Sequence, residues 1–90
     1  MTIRKFNGHP YAQATIHEQD NGTIALVSYT TTVIVIDADG WMYVRGLYSR
    51  TTIKHIGWFM KEIGLTYQHA KRAYIDEKEY NIRTGEYRNI

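Results

Sequence analysis

From Thr23 to Ile36 the chain has no charged side chain, and apolar residues fall on both parities: Ile24, Leu26, Ile34 and Ile36 on one, Val27, Tyr29, Val33 and Val35 on the other. β-Branched side chains are stiff in a helix and fit a pleated surface, so this stretch reads as sheet. A half-buried strand would leave one parity polar. Apolar residues on both parities call for a central strand covered on both faces, or for a bend near Ser28 to Thr30 that changes which residues face inward. The stretch is longer than a usual strand, and its four threonines and its length exclude a membrane span.

Turn chemistry brackets this run. Tyr11 to His17 reads as a strand, and Asp20-Asn21-Gly22 as a hairpin turn in which Asn-Gly supplies positive φ cheaply. Asp37-Ala38-Asp39-Gly40 is a second turn, Trp41 to Arg45 a further strand, and Gly46 closes it. These segments form an antiparallel meander. Helix signals begin at Ser49, an N-cap residue, and the apolar positions Ile53, Ile56, Met60 and Ile63 are spaced three, four and three before Gly64 ends the helix. Thr66 opens a shorter helix to about Ile75, with Tyr67, Ala70 and Tyr74 on one face. Asp76 to Ile90 is charged, and reads as a late hairpin turning at Gly85 or as an ordered tail. The fold class is therefore α+β, one domain over residues 1–90. An antiparallel sheet of about four strands carries one main helix and a second short helix packed on one face.

A 90-residue chain buries only about 60% of the surface its unfolded form exposes, so its core must be efficient. Eight tyrosines, two tryptophans and two phenylalanines supply large apolar areas. With no cysteine there is no disulfide framework, thiolate zinc site, iron–sulfur cluster or cysteine nucleophile. Met1 to Phe6 has the basic start of a signal peptide, but Asn7, Gly8, His9 and Pro10 replace its apolar run, which implies a cytoplasmic location without membrane association. The net charge is +2. Residues 1–45 hold three basic and four acidic side chains and residues 46–90 eight and five, a mild basic excess in the second half that falls short of the dense stripe of a phosphate-reading protein.

Tyr48-Ser49-Arg50-Thr51-Thr52-Ile53-Lys54-His55-Ile56 gathers hydroxyls and an imidazole at a helix start, where free N–H groups favour an anion; hydroxyl capping explains the same residues. His55 with Ser49 or Thr51 supplies two members of a catalytic triad and nothing marks a third, so no catalytic residue is expected. Four histidines invite zinc, with His55, His69 and His17 the candidates, but no two are spaced three or four apart on a helix, so neither metal nor cofactor is expected. At roughly 100° per residue Trp58 points away from the isoleucine stripe, and is either covered by the second helix and the tail or exposed as a partner anchor.

The pattern Leu26-x-Ser28-Tyr29-x-Thr31-x-Val33, followed by Gly46-x-Tyr48-Ser49-x-Thr51-Thr52-x-x-His55-Ile56-x-x-Phe59, resembles that of small proteins of bacteriophages, prophages and plasmids of Gram-positive bacteria. The resemblance covers residues 11 to 64 and implies a mobile-element origin. Small accessory proteins of that origin include anti-CRISPR proteins. The function it implies is a non-enzymatic protein that binds a host protein, in its most specific form an inhibitor of an RNA-guided type II CRISPR nuclease. Arg50, Trp58, Tyr67, Arg72 and Tyr74 are the expected partner-binding residues, because aromatic and arginine side chains dominate binding energy. The alternatives are a nucleic-acid-binding accessory protein using the basic half, with weak binding expected, and a metal-stabilised interaction protein.

Overall fold

The computed structural model describes residues 1–90. Seven strands form one antiparallel sheet whose spatial order is the chain order: β1 (Thr2–Arg4), β2 (Ala14–Glu18), β3 (Ile24–Ser28), β4 (Thr31–Ile36), β5 (Trp41–Val44), β6 (Lys78–Asn81) and β7 (Tyr87–Asn89). Helices α1 (Arg50–Glu62) and α2 (Tyr67–Ile75) interrupt the meander between β5 and β6. Both lie on one face, where α1 meets Ser28 of β3 and α2 meets Tyr80 of β6. No helix is long and apolar enough to cross a membrane.

The α+β class and the antiparallel meander are as expected, but seven strands replace about four. Two of the additions, β1 and β7, are three-residue edge strands, and β6 is half charged. Short, polar edges keep a sheet from pairing with other chains, and that same composition hides them from a hydrophobic pattern. The third addition comes from Thr23–Ile36, where the chain takes the bend expected near Ser28 to Thr30, as a tight hairpin and not as one central strand. The chain reverses at Tyr29-Thr30, and Tyr29 takes φ 56° at the first turn position. Leu26 pairs with Ile34 and Val27 with Thr32, so Val33 is an extra, bulged residue. The bulge lets consecutive Val33 and Ile34 both be buried, which explains apolar residues on both parities.

The Asn21-Gly22 and Asp39-Gly40 turns fall where expected, with φ of 91° and 93° at the glycines. β2 starts at Ala14, because Phe6 bridges to His9 and the Ala12 N–H donates to the His9 carbonyl, which holds Tyr11 in a turn. Asp76–Ile90 resolves as the hairpin β6–β7 turning at Gly85. Asn81 organises that turn: its Oδ1 accepts from the Arg83 and Thr84 N–H groups at 2.9 and 3.1 Å, and its Nδ2 donates to the Asp39 carbonyl.

Ser49 caps α1, accepting from the Thr52 N–H at 3.2 Å. The buried face of α1 is Thr52, His55, Ile56, Phe59 and Met60, so the expected stripe is corrected by a rotation of roughly 50° that leaves Ile53 and Ile63 half-buried. α2 is corrected likewise: Ala70 and Ala73 are buried, Tyr67 is partly buried and Tyr74 is exposed. The small alanines let α2 approach the sheet. Ile16, Leu26, Ile34, Ile36 and Met42 meet Ile56, Phe59 and Met60 in a single core. On the opposite sheet face, Thr15, Ala25, Val27, Thr32, Val35 and Trp41 are only half-buried.

Candidate functional site

Two places stand out, one a buried polar cluster and the other an open groove. The first surrounds His55. Its Nδ1 lies 2.8 Å from Ser28 Oγ, Ser28 Oγ lies 3.4 Å from Thr52 Oγ1, and Ser49 donates to Thr52 Oγ1 at 3.2 Å, a hydroxyl chain from the helix cap to the sheet. Ser28 and His55 are each only 2% exposed. Burial pushes the His55 pKa down, and the nearby ammonium groups of Lys54 and Lys5 push the same way, so the ring is held neutral. Phe6, Trp58 and Tyr29 stand around it with ring centres 5.8 to 6.1 Å away.

The N-terminal segment folds over α1 and adds Phe6 to that shell, beside Trp58 of α1 and Tyr29 of the β3–β4 turn. His9 stacks on Trp58 at 3.6 Å, with the rings 12° from parallel, and Phe6 meets Trp58 edge-on at 5.8 Å. Glu62 fastens the segment by accepting from Arg4 at 2.9 Å and from the Asn7 N–H, while Arg4 also holds Glu18 at 2.6 Å. Hydrogen bonds to Glu18 and then Glu62 raise the Arg4 pKa further. The expectation that the second helix and the tail would cover Trp58, or leave it free, is corrected: the first ten residues cover it. Arg4, Phe6, His9 and Ser28 were missed as members of this cluster, since each is distant in sequence from α1.

The second place is a groove of about 880 Å³ at the C-terminal end of α2, lined by Tyr43 and Val44 of β5, Ala73 to Glu77, Asn89 and Ile90. Tyr43, Tyr74, Ile75 and Ile90 are exposed there by 38, 43, 60 and 71%. Their spacing in the chain gives no signal, because the β5–β6 connection through two helices brings them together.

The five expected partner-binding residues do not converge. Tyr74 lines the groove. Arg72 lies over the Tyr87 ring at 4.6 Å and 3.6 Å from Asp76. Tyr67 packs partly buried against the core, Trp58 is under His9, and Arg50 is exposed at the start of α1. Arg50, Lys54 and Lys61 share the outward face of α1, and none has a carboxylate within ion-pair distance.

The histidines are separated as ligands: His17 Nε2 meets Thr15, His69 Nδ1 accepts from the Thr66 N–H at 3.2 Å, and no three metal-ligating side chains are grouped. No match is found among curated proteins or among solved structures. The family of unknown function DUF8033 matches residues 3–81, from β1 through β6. That span takes in both helices and the whole His55 cluster, and the chain belongs to this family.

Proposed function

We propose that this domain is non-enzymatic and works by binding a partner protein. One observation carries the reading: four of its large exposed apolar side chains, Tyr43, Tyr74, Ile75 and Ile90, ring a single groove instead of being scattered. Apolar clusters of this kind on small domains mark interaction sites, with aromatic anchors giving most of the energy. The closure of the Ser28–His55 pair supports the non-enzymatic part, since a nucleophile and its base must meet substrate. A photo-cross-linking residue in place of Tyr74 is expected to trap one protein in host cells, and the same residue at exposed Gln68 is not. No adduct from position 74 defeats the reading.

The target we propose is a type II CRISPR nuclease, on the strength of the likeness to mobile-element proteins and the small size. Near-equimolar protein should then stop target cleavage, and Tyr74→Arg should restore it without unfolding. Trp58→Ala is a poor test because Trp58 also holds the N-terminal segment. No complex with the nuclease in any guide-loaded state removes this target.

A second reading has its own observation, the unpaired cations Arg50, Lys54 and Lys61 along α1. Three phosphate contacts would give a log–log salt slope of about −2.7. Sub-micromolar, salt-sensitive binding to DNA or RNA that is lost when the three are changed to glutamate would place this reading first.

A further inference from the structure

The groove lies where the sheet comes apart. β4 and β5 are bonded through the Asp37 N–H to the Trp41 carbonyl at 3.0 Å and the Arg45 N–H to the Val33 carbonyl at 2.8 Å. Trp41, Tyr43 and Arg45 therefore turn their backbone groups toward β4, and by alternation Val44 turns its N–H and C=O toward β6. On that side Ile82 donates to the Gly40 carbonyl at 2.9 Å and Met42 pairs with Tyr80, and there the pairing ends. The next rung would join Val44 to Lys78. Lys78 is placed in the same way. The Asn81 N–H donates to the Glu86 carbonyl and the Ile90 N–H to the Glu77 carbonyl, so Glu79 faces β7 and Lys78 presents its N–H and C=O to β5. The Val44–Lys78 rung is therefore missing from the ladder, which leaves a wedge between the strands, and Val44 lines the groove just beyond the last pair.

We propose that this wedge receives an extended peptide segment of a protein partner, which adds as a strand against Val44 and carries a lysine or arginine. The inference rests on the protein-binding reading and specifies its ligand. Beyond its last pair with β6, β5 has no ladder partner on that side, and an entering strand would continue the ladder there at the normal strand spacing of about 4.8 Å. Its alternate side chains meet Ala73, Tyr74 and Ile75 on the helix side. Charge selects the basic residue: the only ionic side chains lining the groove are Asp76 and Glu77, and Glu77 has no cation within ion-pair distance, while Arg72 reaches Asp76 at 3.6 Å. A helical ligand could not continue the β5 ladder.

The test is selection of random eight-residue peptides displayed on phage against the intact protein, followed by amide hydrogen exchange with the selected peptide bound. Enriched peptides should alternate apolar residues and carry a basic one, and should slow exchange at Val44 at least tenfold. Tyr74→Arg should weaken binding tenfold or more, and Glu77→Lys should weaken basic peptides and not neutral ones. Selected peptides that bind as helices, no selected peptide, or unchanged exchange at Val44 would each overturn the proposal. So would self-association in sedimentation that protects Val44 without peptide, since a second copy would then fill the wedge. If the cross-link from position 74 forms and no extended peptide is selected, the wedge fails and the protein-binding reading stands. Peptide binding at Val44 without a cellular adduct supports the wedge as a strand acceptor and defeats the cellular protein-binding reading.

Discussion

His55 shows how a polar side chain is accommodated in a small core. A buried imidazole without a partner costs about as much as an unmade hydrogen bond, and Ser28 supplies the partner at 2.8 Å from the neighbouring strand. Ser28→Ala should therefore destabilise by about 1 to 3 kcal/mol in denaturant unfolding, and an unchanged midpoint would mean that the bond contributes nothing. The same residue gives a pH signature. Burial lowers its pKa in the folded chain, so the unfolded state binds the extra proton first as pH falls. The stability that His55 provides is complete above about pH 6.5, its unfolded value, and declines below it. His55→Gln should flatten that decline in unfolding curves measured between pH 7 and 5, and an equally steep decline in the variant would place the titration elsewhere. His55 was legible as a helical residue beside a cap. Its inward direction was not, because a stripe chosen by apolar side chains alone ignores the fact that Ser28 can satisfy a histidine.

At the scale of elements, turns and caps were the readable part: Asn21-Gly22, Asp37 to Gly40, Ser49, Gly64, Thr66 and Gly85 each act through local backbone chemistry, and each is found in place. What tertiary contacts decide was harder to read. Apolar parity allowed a bend near Ser28 to Thr30 or an unbroken central strand, and composition could not choose, because the Tyr29-Thr30 reversal carries no glycine, asparagine or proline and is supported by the Tyr29 ring 5.9 Å from His55. α1 is rotated for a similar reason, since Phe59 fills the core better than Ile53 or Ile63. Phe59→Ala should cost about 3 to 5 kcal/mol and Ile56→Ala about 2 to 5, whereas Ile53→Ala and Ile63→Ala, half-buried, should each stay under roughly 1.5 kcal/mol. Thermal or denaturant unfolding of the four variants separates the two faces. Equal losses at Ile53 and Phe59 would restore the isoleucine stripe as the buried face.

At the scale of the whole molecule, stability should be uneven. β2, β3 and β4 are joined by five-residue ladders and carry most of the apolar core, whereas β5 and β6 share two pairs before they diverge. The β6–β7 hairpin is also attached to α2 by the His69–Tyr80 ring contact and by Arg72 over Tyr87, and to β5 and its preceding turn by Arg88 over Trp41, the Ile82 N–H to the Gly40 carbonyl and Asn81 to the Asp39 carbonyl. No three metal-ligating side chains are grouped to tie these elements together, so chelator should leave the unfolding transition where it is, and a shift would put the histidines in a structural role. Native-state hydrogen exchange is expected to show α2, β6 and β7 opening together at a lower free energy than β2 to β4, because a unit held by few rungs can detach while the central hairpins persist. Asn81→Ala removes the bond to Asp39 and both turn bonds, and should widen that difference by about 1 to 3 kcal/mol while leaving β3 protection unchanged. Uniform protection across all seven strands would contradict this picture, since it would require the two β5–β6 pairs to couple the halves as tightly as the five-pair ladders do.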